Sequence, residues 1–243
     1  MSSMRINRAI AQAGVCSRRA AEQLVSSGQV RVNDKVVTDL ATTVDVHRDR
    51  IKVRGKLLHF EFRHHYFVYY KPRGVVSTMN DELGRASVGE LCATLPGSPR
   101  PVGRLDRASE GLMLLCSDGE VANHMTHPRY GVSKQYRVTV SPRLSESDAQ
   151  RMVDGVRLED GEAHFDTIEL VSLEKDRSRL EVTLSEGRNR IIRRVCEALG
   201  YEVRRLKRTR FGPLMLDKMG PGEYRELNAS EVRNLRKSLK LDR

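Results

Sequence analysis

The sequence predicts an α+β protein in which a small N-terminal α/β module precedes a larger sheet domain. Segments typical of strands alternate with amphipathic helices in irregular order, without the strict βαβ repeat of a parallel-sheet protein. At 243 residues the chain is long enough for one domain of ordinary size and a small additional module. We place the module at residues 4–58, a linker at 59–66 and the larger domain at 67–240.

The composition is that of a folded protein with a polyanionic partner. Charged residues make up 31% of the chain and hydrophobic residues 39%, and the net charge is +11. No apolar run approaches the roughly 20 residues that span a bilayer, so we expect no membrane segment. The first eight residues lack the apolar core of a secretory signal, and we therefore expect a cytoplasmic protein.

The N-terminal module is predicted to contain two helices followed by short strands. Helical spacing of apolar residues runs from Arg5 to Ala13, and Ser17 is suited to cap a second helix that extends to Ser27. Alternating apolar residues then predict strands at Val30–Val32, Val36–Val37 and Ile51–Val53.

Arg18 and Arg19 occupy the first turn of the second predicted helix. Cations at this end oppose the helix dipole, which favours negative charge there. A bound phosphate would make both features favourable, since helix N-termini and arginines bind phosphate. The alternative is a pair of solvated arginines.

We expect neither a metal nor a disulfide framework. The four cysteines, Cys16, Cys92, Cys116 and Cys196, are scattered and contain no Cys-x-x-Cys pair. His59, His64 and His65 cluster in the predicted linker, but we do not expect them to form a metal-ligand set.

The larger domain is predicted from strand and helix signals in mixed order. Predicted strands lie at Phe67–Tyr70, Gly111–Cys116, Lys134–Val140, His164–Leu173, Arg179–Leu184 and Tyr201–Leu206. Predicted helices follow Asp118 and Asn228 and cover Ser145–Val153 and Arg190–Leu199.

Asp106 is the first candidate for catalysis. It lies between Arg104 and Arg107 in a polar segment that leads into the apolar run Leu112–Cys116. Arginine next to a carboxylate favours its ionised form. Such a group can act as a nucleophile or base, or serve only as one end of a structural ion pair.

Arg193 and Tyr136 each have a structural and a functional interpretation. On the predicted helix, Arg193 lies at the edge of the apolar face, where a buried arginine usually needs a carboxylate partner. Tyr136 alternates with Val138 and Val140 on one strand face, which is typical of core packing. A tyrosine in a site wall can instead stack on a nucleobase.

The segment Ala13–Ala21, followed by Gly28-Gln29-Val30-Arg31-Val32-Asn33, resembles the S4 RNA-binding domain. The resemblance covers nearly the whole N-terminal module and implies RNA binding rather than catalysis.

Four motifs occur in the order found in RsuA-type ribosomal RNA pseudouridine synthases. They are Lys71-Pro72-x-Gly74, Gly103-Arg104-Leu105-Asp106-x-x-Ser109-x-Gly111-Leu112, Lys134-x-Tyr136-x-Val138 and Glu186-Gly187-Arg188-Asn189-Arg190-x-x-Arg193-Arg194. The resemblance implies a mixed, largely antiparallel sheet and an isomerase without cofactor or metal. It also implies that Asp106 is the catalytic aspartate, Tyr136 stacks on the target base and Arg193 pairs with Asp106. The chain departs from the family at Ala108-Ser109-Glu110 and at Ile191.

The resemblance further implies a monomer that acts on structured ribosomal RNA. Several segments, among them Asp81–Arg85, resemble the branch that modifies large-subunit (23S) rRNA more than the small-subunit (16S) branch. The alternatives are a 16S rRNA enzyme and a non-catalytic RNA-binding assembly factor, although the Asp106, Tyr136 and Arg193 set is complete. The side chains expected to contact RNA are Arg5, Arg18, Arg19, Arg31, Lys71, Arg104, Arg107, Arg188, Arg190 and Arg194.

Overall fold

The computed structural model describes residues 3–60 and 63–241. The chain divides between residues 64 and 65 into two compact units. We call residues 1–64 the N-terminal unit and residues 65–243 the C-terminal unit.

The N-terminal unit packs two helices against short antiparallel strands. Its elements are β1 (Ser3–Arg5), α1 (Ile6–Gln12), α2 (Arg18–Ser26), β2 (Val30–Val32), β3 (Lys35–Val37), β4 (Thr43–Asp45), β5 (Ile51–Val53) and β6 (Lys56–Leu57). The predicted cap is confirmed, because the Ser17 hydroxyl accepts a hydrogen bond from the Ala20 N–H at 3.2 Å. Arg5 lies in β1 rather than in a helix, since β1 pairs with β4. The core contains Ile6, Ile10, Val25, Val30 and Ile51.

The C-terminal unit is built on one large sheet with helices on both faces. Its strands are β7 (Tyr66–Lys71), β8 (Arg100–Val102), β9 (Glu110–Cys116), β10 (Lys134–Ser141), β11 (Val156–Leu158), β12 (Gly161–Ala163), β13 (Thr167–Leu173), β14 (Ser178–Leu184), β15 (Glu202–Phe211), β16 (Leu214–Met215) and β17 (Tyr224–Glu226). Its helices are α3 (Val88–Thr94), α4 (Gly119–Thr126), α5 (Glu146–Asp154), α6 (Ile191–Ala198) and α7 (Ala229–Ser238), with a 3₁₀ turn at Pro128–Tyr130.

The sheet is mixed and largely antiparallel, as the resemblance implied. In the described residues its main path runs β13-β14-β10-β15-β9-β7-β17, with β16 on β15 and β8 on β9. The pair β9–β15 is parallel, whereas the other pairs are antiparallel. The predicted α+β class is therefore confirmed.

Apolar side chains cover both faces of the sheet centre. Every residue of β9 is buried, which explains its unbroken apolar run. Phe67, Tyr69, Met113 and Leu115 belong to a core that includes residues of α3, α5 and α6. The alternate residues of β7 and β9 belong to a second core that includes residues of α4 and α7. The central strands β7 and β9 are thus buried between two cores.

Two elements differ most from the prediction. Strand β15 continues to Phe211, whereas the prediction ended it at Leu206. The prediction was too short because cations in the second half of the strand obscure the apolar alternation. Helix α3 was not predicted, although Ser87 and Glu90 form a capping box at its start.

Candidate active site

Three motif residues and Arg208 lie in one row across the sheet. Tyr136 in β10 is the register partner of Arg208 in β15, and Arg208 is the partner of Gly111 in β9. Gly111 is in turn the partner of Lys71 in β7. Residues far apart in sequence therefore meet where β9 begins, directly after the Asp106 segment.

Gly111 permits this arrangement because it has no side chain. Its φ is +108°, and a Cβ atom there would lie 2.3 Å from the carbonyl oxygen of Arg208. Any other residue would force β9 and β15 apart.

Asp106 lies in a short loop that is fixed at both ends. The Ser77 hydroxyl donates to the Leu105 carbonyl at 2.7 Å and accepts from the Leu105 N–H at 3.1 Å. The Asp106 carbonyl accepts from the Ser109 N–H at 3.0 Å. The loop thus holds the half-buried Asp106 in the wall of a cavity of about 290 Å³.

Tyr136 lies in the wall of the same cavity. Lys134, Ser109 and Arg208 also line it, together with residues of the segment Glu186–Ile192. Tyr136 is only 9% exposed and packs against the core, as its structural interpretation predicts, and it also borders the cavity. We call this cavity the catalytic pocket.

The expected direct ion pair between Arg193 and Asp106 is absent from the described residues, and that expectation is wrong for this structure. Arg193 Nη1 donates to the Val203 carbonyl at 3.0 Å, and Nη2 lies 3.4 Å from the Ala108 carbonyl and from Ser109 Oγ. These partners hold the guanidinium between β15 and the Asp106 loop. Burial, followed by the charge of Arg190, lowers the pKa of Arg193, and the charge of Asp106 acts in the opposite direction. Arg193 therefore interacts with Asp106 electrostatically, without a contact.

Lys71 does not face solvent, so the expectation that it contacts RNA is wrong for this structure. It is 0% exposed, and its Nζ donates to the carbonyls of Ser109 at 2.8 Å and Pro72 at 2.9 Å. Burial lowers the pKa of Lys71 to about 8, opposed mainly by the charge of Asp106. Lys71 ties the end of β7 to the Asp106 loop from inside the protein.

Arg188 and Arg194 are engaged by carboxylates. Arg188 Nε lies 2.5 Å from a Glu186 oxygen, and Arg194 Nη1 donates to Asp160 at 2.9 Å. Arg188 also lies 3.3 Å from Asp160. These ion pairs shape the Glu186–Ile192 side of the catalytic pocket, and they leave less of either guanidinium available to RNA.

The remaining predicted RNA contacts are exposed. Arg104, Arg107 and Arg190 are exposed around the catalytic pocket, and Arg107 Nε donates to the Gly74 carbonyl at 3.2 Å. The four predicted contacts in the N-terminal unit, Arg5, Arg18, Arg19 and Arg31, are exposed as well. All seven can meet a phosphate without unfolding the protein.

Arg208, which has no role in the sequence motifs, is 3% exposed and lines the catalytic pocket. Its signal was available in the alternation of β15, because position 208 falls two residues after the buried Leu206. A cation on the buried face of a strand needs an explanation. Lys134, a motif residue without a predicted role, lines the same pocket.

Two further observations concern the described residues as a whole. They contain no group of three or more His, Cys, Asp or Glu side chains arranged to hold a metal ion. They also contain no helix long and apolar enough to cross a membrane.

Two families of known proteins match this chain, one in each of its units. Residues 65–198 match the RNA pseudouridylate synthase family, and residues 4–51 match the S4 domain. The chain belongs to the RNA pseudouridylate synthase family, which confirms the resemblance derived from its motifs.

Relatives match along almost the whole chain. Ribosomal large subunit pseudouridine synthase B of Bacillus subtilis is 42% identical over 96% of this chain and 95% of its own length. An uncharacterized RNA pseudouridine synthase of Aquifex aeolicus is 40% identical over 99% of this chain and 97% of its own. A crystal structure of a pseudouridylate synthase superposes with a TM-score of 0.67 at 28% identity, covering 96% of this chain and 99% of the other.

Proposed function

We propose that this protein converts a specific uridine of 23S ribosomal RNA into pseudouridine. The observation that supports this most directly is that Asp106 and Tyr136 border one pocket. The volume of about 290 Å³ is near the lower end of small-molecule sites, as expected for a pocket that takes one nucleotide. The choice of 23S rRNA follows the Bacillus subtilis relative, which is named a large-subunit enzyme.

The proposed reaction rearranges bonds without oxidation or reduction. The N1–C1′ bond of the uridine breaks, the uracil turns, and a C5–C1′ bond forms. The proton on C5 is released, and N1 takes up a proton. Asp106 either attacks C1′ as a nucleophile or removes the C2′ proton as a base.

Tyr136 and Arg193 would support Asp106 in different ways. Tyr136 offers an aromatic surface for the target base, and stacking of this kind stabilises by about 1–3 kcal/mol. Arg193 contributes positive charge near the carboxylate, which favours its ionised form.

The target base must leave its stack to reach the pocket, which costs a few kcal/mol. The exposed Arg104, Arg107 and Arg190 can offset part of this cost by binding phosphates, or by filling the gap that the base leaves. The exposed arginines of the S4 domain would bind structured RNA in the same way.

The variant Asp106→Asn tests the catalytic role. We expect pseudouridine formation to be lost while rRNA affinity is retained, because the amide keeps the shape of the side chain and removes its charge. The measurement is tritium release from rRNA labelled at uridine C5, with binding measured in parallel. Asp176→Asn, in an exposed turn, is the matched control and should remain active.

The substrate is tested by mapping pseudouridines in rRNA from a strain that lacks this protein. We expect one 23S position to revert to uridine and to be restored by the wild-type gene. Loss of a 16S position would favour the small-subunit alternative, which would then replace our proposal. A non-catalytic assembly factor would be favoured if the pseudouridines of the rRNA are unchanged in that strain and Asp106→Asn matches wild type in tritium release.

A further inference from the structure

Arg208 is a buried cation with no counter-charge among the described residues. Its Nε donates to the Leu112 carbonyl at 2.7 Å, and its Cζ lies 4.6 Å from the centre of the Phe211 ring. In the described residues its Nη2 has no hydrogen-bond partner, and no carboxylate lies within ion-pair distance of the guanidinium. A buried, unsatisfied group of this kind calls for a missing partner.

Lys134 is a second cation of the same pocket with only neutral partners. Its Nζ donates to the Val132 carbonyl at 2.7 Å and lies 3.4 Å from the Ser185 carbonyl. Burial, followed by the charge of Arg208, lowers the pKa of Lys134. The two cations therefore repel one another in a partly dry environment.

The acidic groups of the pocket do not neutralise this pair. Among the described residues that line it, the carboxylates are Asp106 and Glu186. Glu186 is bound to Arg188 at 2.5 Å, and the charges of Glu186 and Asp166 only partly offset the effects of burial and of Arg208 on the pKa of Lys134. Asp106 acts on Lys71 and Arg193, whose pKa values respond to its charge. Buried charges normally have partners, so a positive pocket fits a ligand that brings negative charge.

We propose that Arg208 and Lys134 form a binding site for an anionic oxygen of the target nucleotide. The inference rests on the proposed function and deepens it by naming residues that would bind the target nucleotide. Arg208 is the register partner of Tyr136, so a base stacked on Tyr136 lies next to the guanidinium.

Two groups of the bound nucleotide can provide an anionic oxygen, namely the uracil base during the reaction and a phosphate. As the N1–C1′ bond breaks, its electron pair passes to the uracil, and negative charge spreads onto the carbonyl oxygens of the base. Fixed positive groups that meet such charge accelerate a reaction, and removal of one such donor slows it by about 100- to 1,000-fold. A phosphate of the target nucleotide is the other source, and it would be bound equally before and during the reaction.

The experiment compares Arg208→Met and Lys134→Met with wild type. The substrate is C5-tritiated rRNA from a strain that lacks this protein. Single-turnover rates are measured with enzyme in large excess, and dissociation constants are measured on the same RNA. Arg208→Lys is included because it keeps the charge while removing the planar donors. Arg204→Met is the matched control, since Arg204 is an exposed arginine of the same strand outside the pocket. Circular dichroism verifies that each variant is folded.

A charged uracil as ligand predicts that Arg208→Met and Lys134→Met react about 100- to 1,000-fold more slowly with an unchanged dissociation constant. A phosphate as ligand predicts RNA binding about 10- to 100-fold weaker with a nearly unchanged single-turnover rate. Arg204→Met should match wild type in rate. If Arg208→Met does not fold, Arg208→Lys and Lys134→Met decide the question.

Wild-type rate and affinity in the folded Arg208→Met, Arg208→Lys and Lys134→Met variants would overturn the binding site. That result would leave the proposed function intact as long as wild type releases tritium and Asp106→Asn does not. An inactive wild-type protein would instead contradict the proposed function.

Discussion

Replacing Gly111 by alanine should damage both the sheet and the catalytic pocket. A Cβ atom at this position would lie 2.3 Å from the Arg208 carbonyl oxygen and 2.7 Å from its nitrogen. The obstacle is backbone, so no side chain can rotate away. The parallel pair β9–β15 consists of two register positions, Glu110 with Lys207 and Gly111 with Arg208, so half of it is affected directly.

The expected loss of stability follows from two contributions. Overpacking in a core typically costs about 1–3 kcal/mol, and a left-handed backbone angle costs a non-glycine residue about 1–2 kcal/mol. We therefore expect Gly111→Ala to lower the free energy of unfolding by about 2–5 kcal/mol. Because Arg208 and the Asp106 loop meet at this point, turnover should fall as well.

Urea unfolding followed by far-UV circular dichroism measures the effect, because the chain contains no tryptophan. The matched control is Gly119→Ala at the start of α4, where a Cβ atom would meet nothing within 4 Å. It should change stability by no more than about 1 kcal/mol. A Gly111→Ala protein within about 0.5 kcal/mol of wild type would refute the argument that β9 and β15 need this close approach.

Three further predictions concern other parts of the chain. Lys71 has a pKa lowered to about 8, so between that pH and its ordinary value near 10.5 the unfolded chain binds more protons than the folded one. Wild type should therefore gain stability relative to Lys71→Met as the pH rises through this window, and a difference independent of pH would contradict the assignment. Asp118→Asn should destabilise the C-terminal unit by about 1–3 kcal/mol in thermal unfolding, because Asp118 accepts from Tyr66 at 2.7 Å and Arg236 at 2.9 Å; Asp154→Asn is the control. Arg18→Met should weaken rRNA binding and reduce the slope of log affinity against log salt by about one, whereas an unchanged slope would remove Arg18 from the RNA interface.

The sequence predicted those parts of the fold whose signals are local. The Ser17 cap and the buried run of β9 follow from neighbouring residues, and the structure contains both. The Asp106 loop could likewise be placed before a buried strand. The family motifs then indicated which distant residues belong together, and the register of the sheet brings Tyr136 and Lys71 into one row.

Contacts between distant segments were not predictable in the same way. A lysine in a polar motif resembles a surface residue, and only the pairing of β7 with β9 shows that Lys71 is covered. The direction of the Arg193 side chain depends on carbonyl groups of Ala108 and Val203, which carry no sequence signal. Arg208 was not predicted as a pocket residue because several cations outside the pocket surround it in β15.

The buried cations suggest why the protein needs two cores around its catalytic pocket. Lys71 and Arg208 are both nearly inaccessible and donate only to neutral carbonyl groups, so each lowers the stability of the ligand-free protein. The sheet can hold them because apolar side chains cover both faces of β7 and β9 beside them. An apolar residue at position 208 would remove that burden, but the pocket would then lose the positive charge that a nucleotide is proposed to meet. The stability that the protein loses by burying these two cations is therefore consistent with a site organised for an anionic ligand.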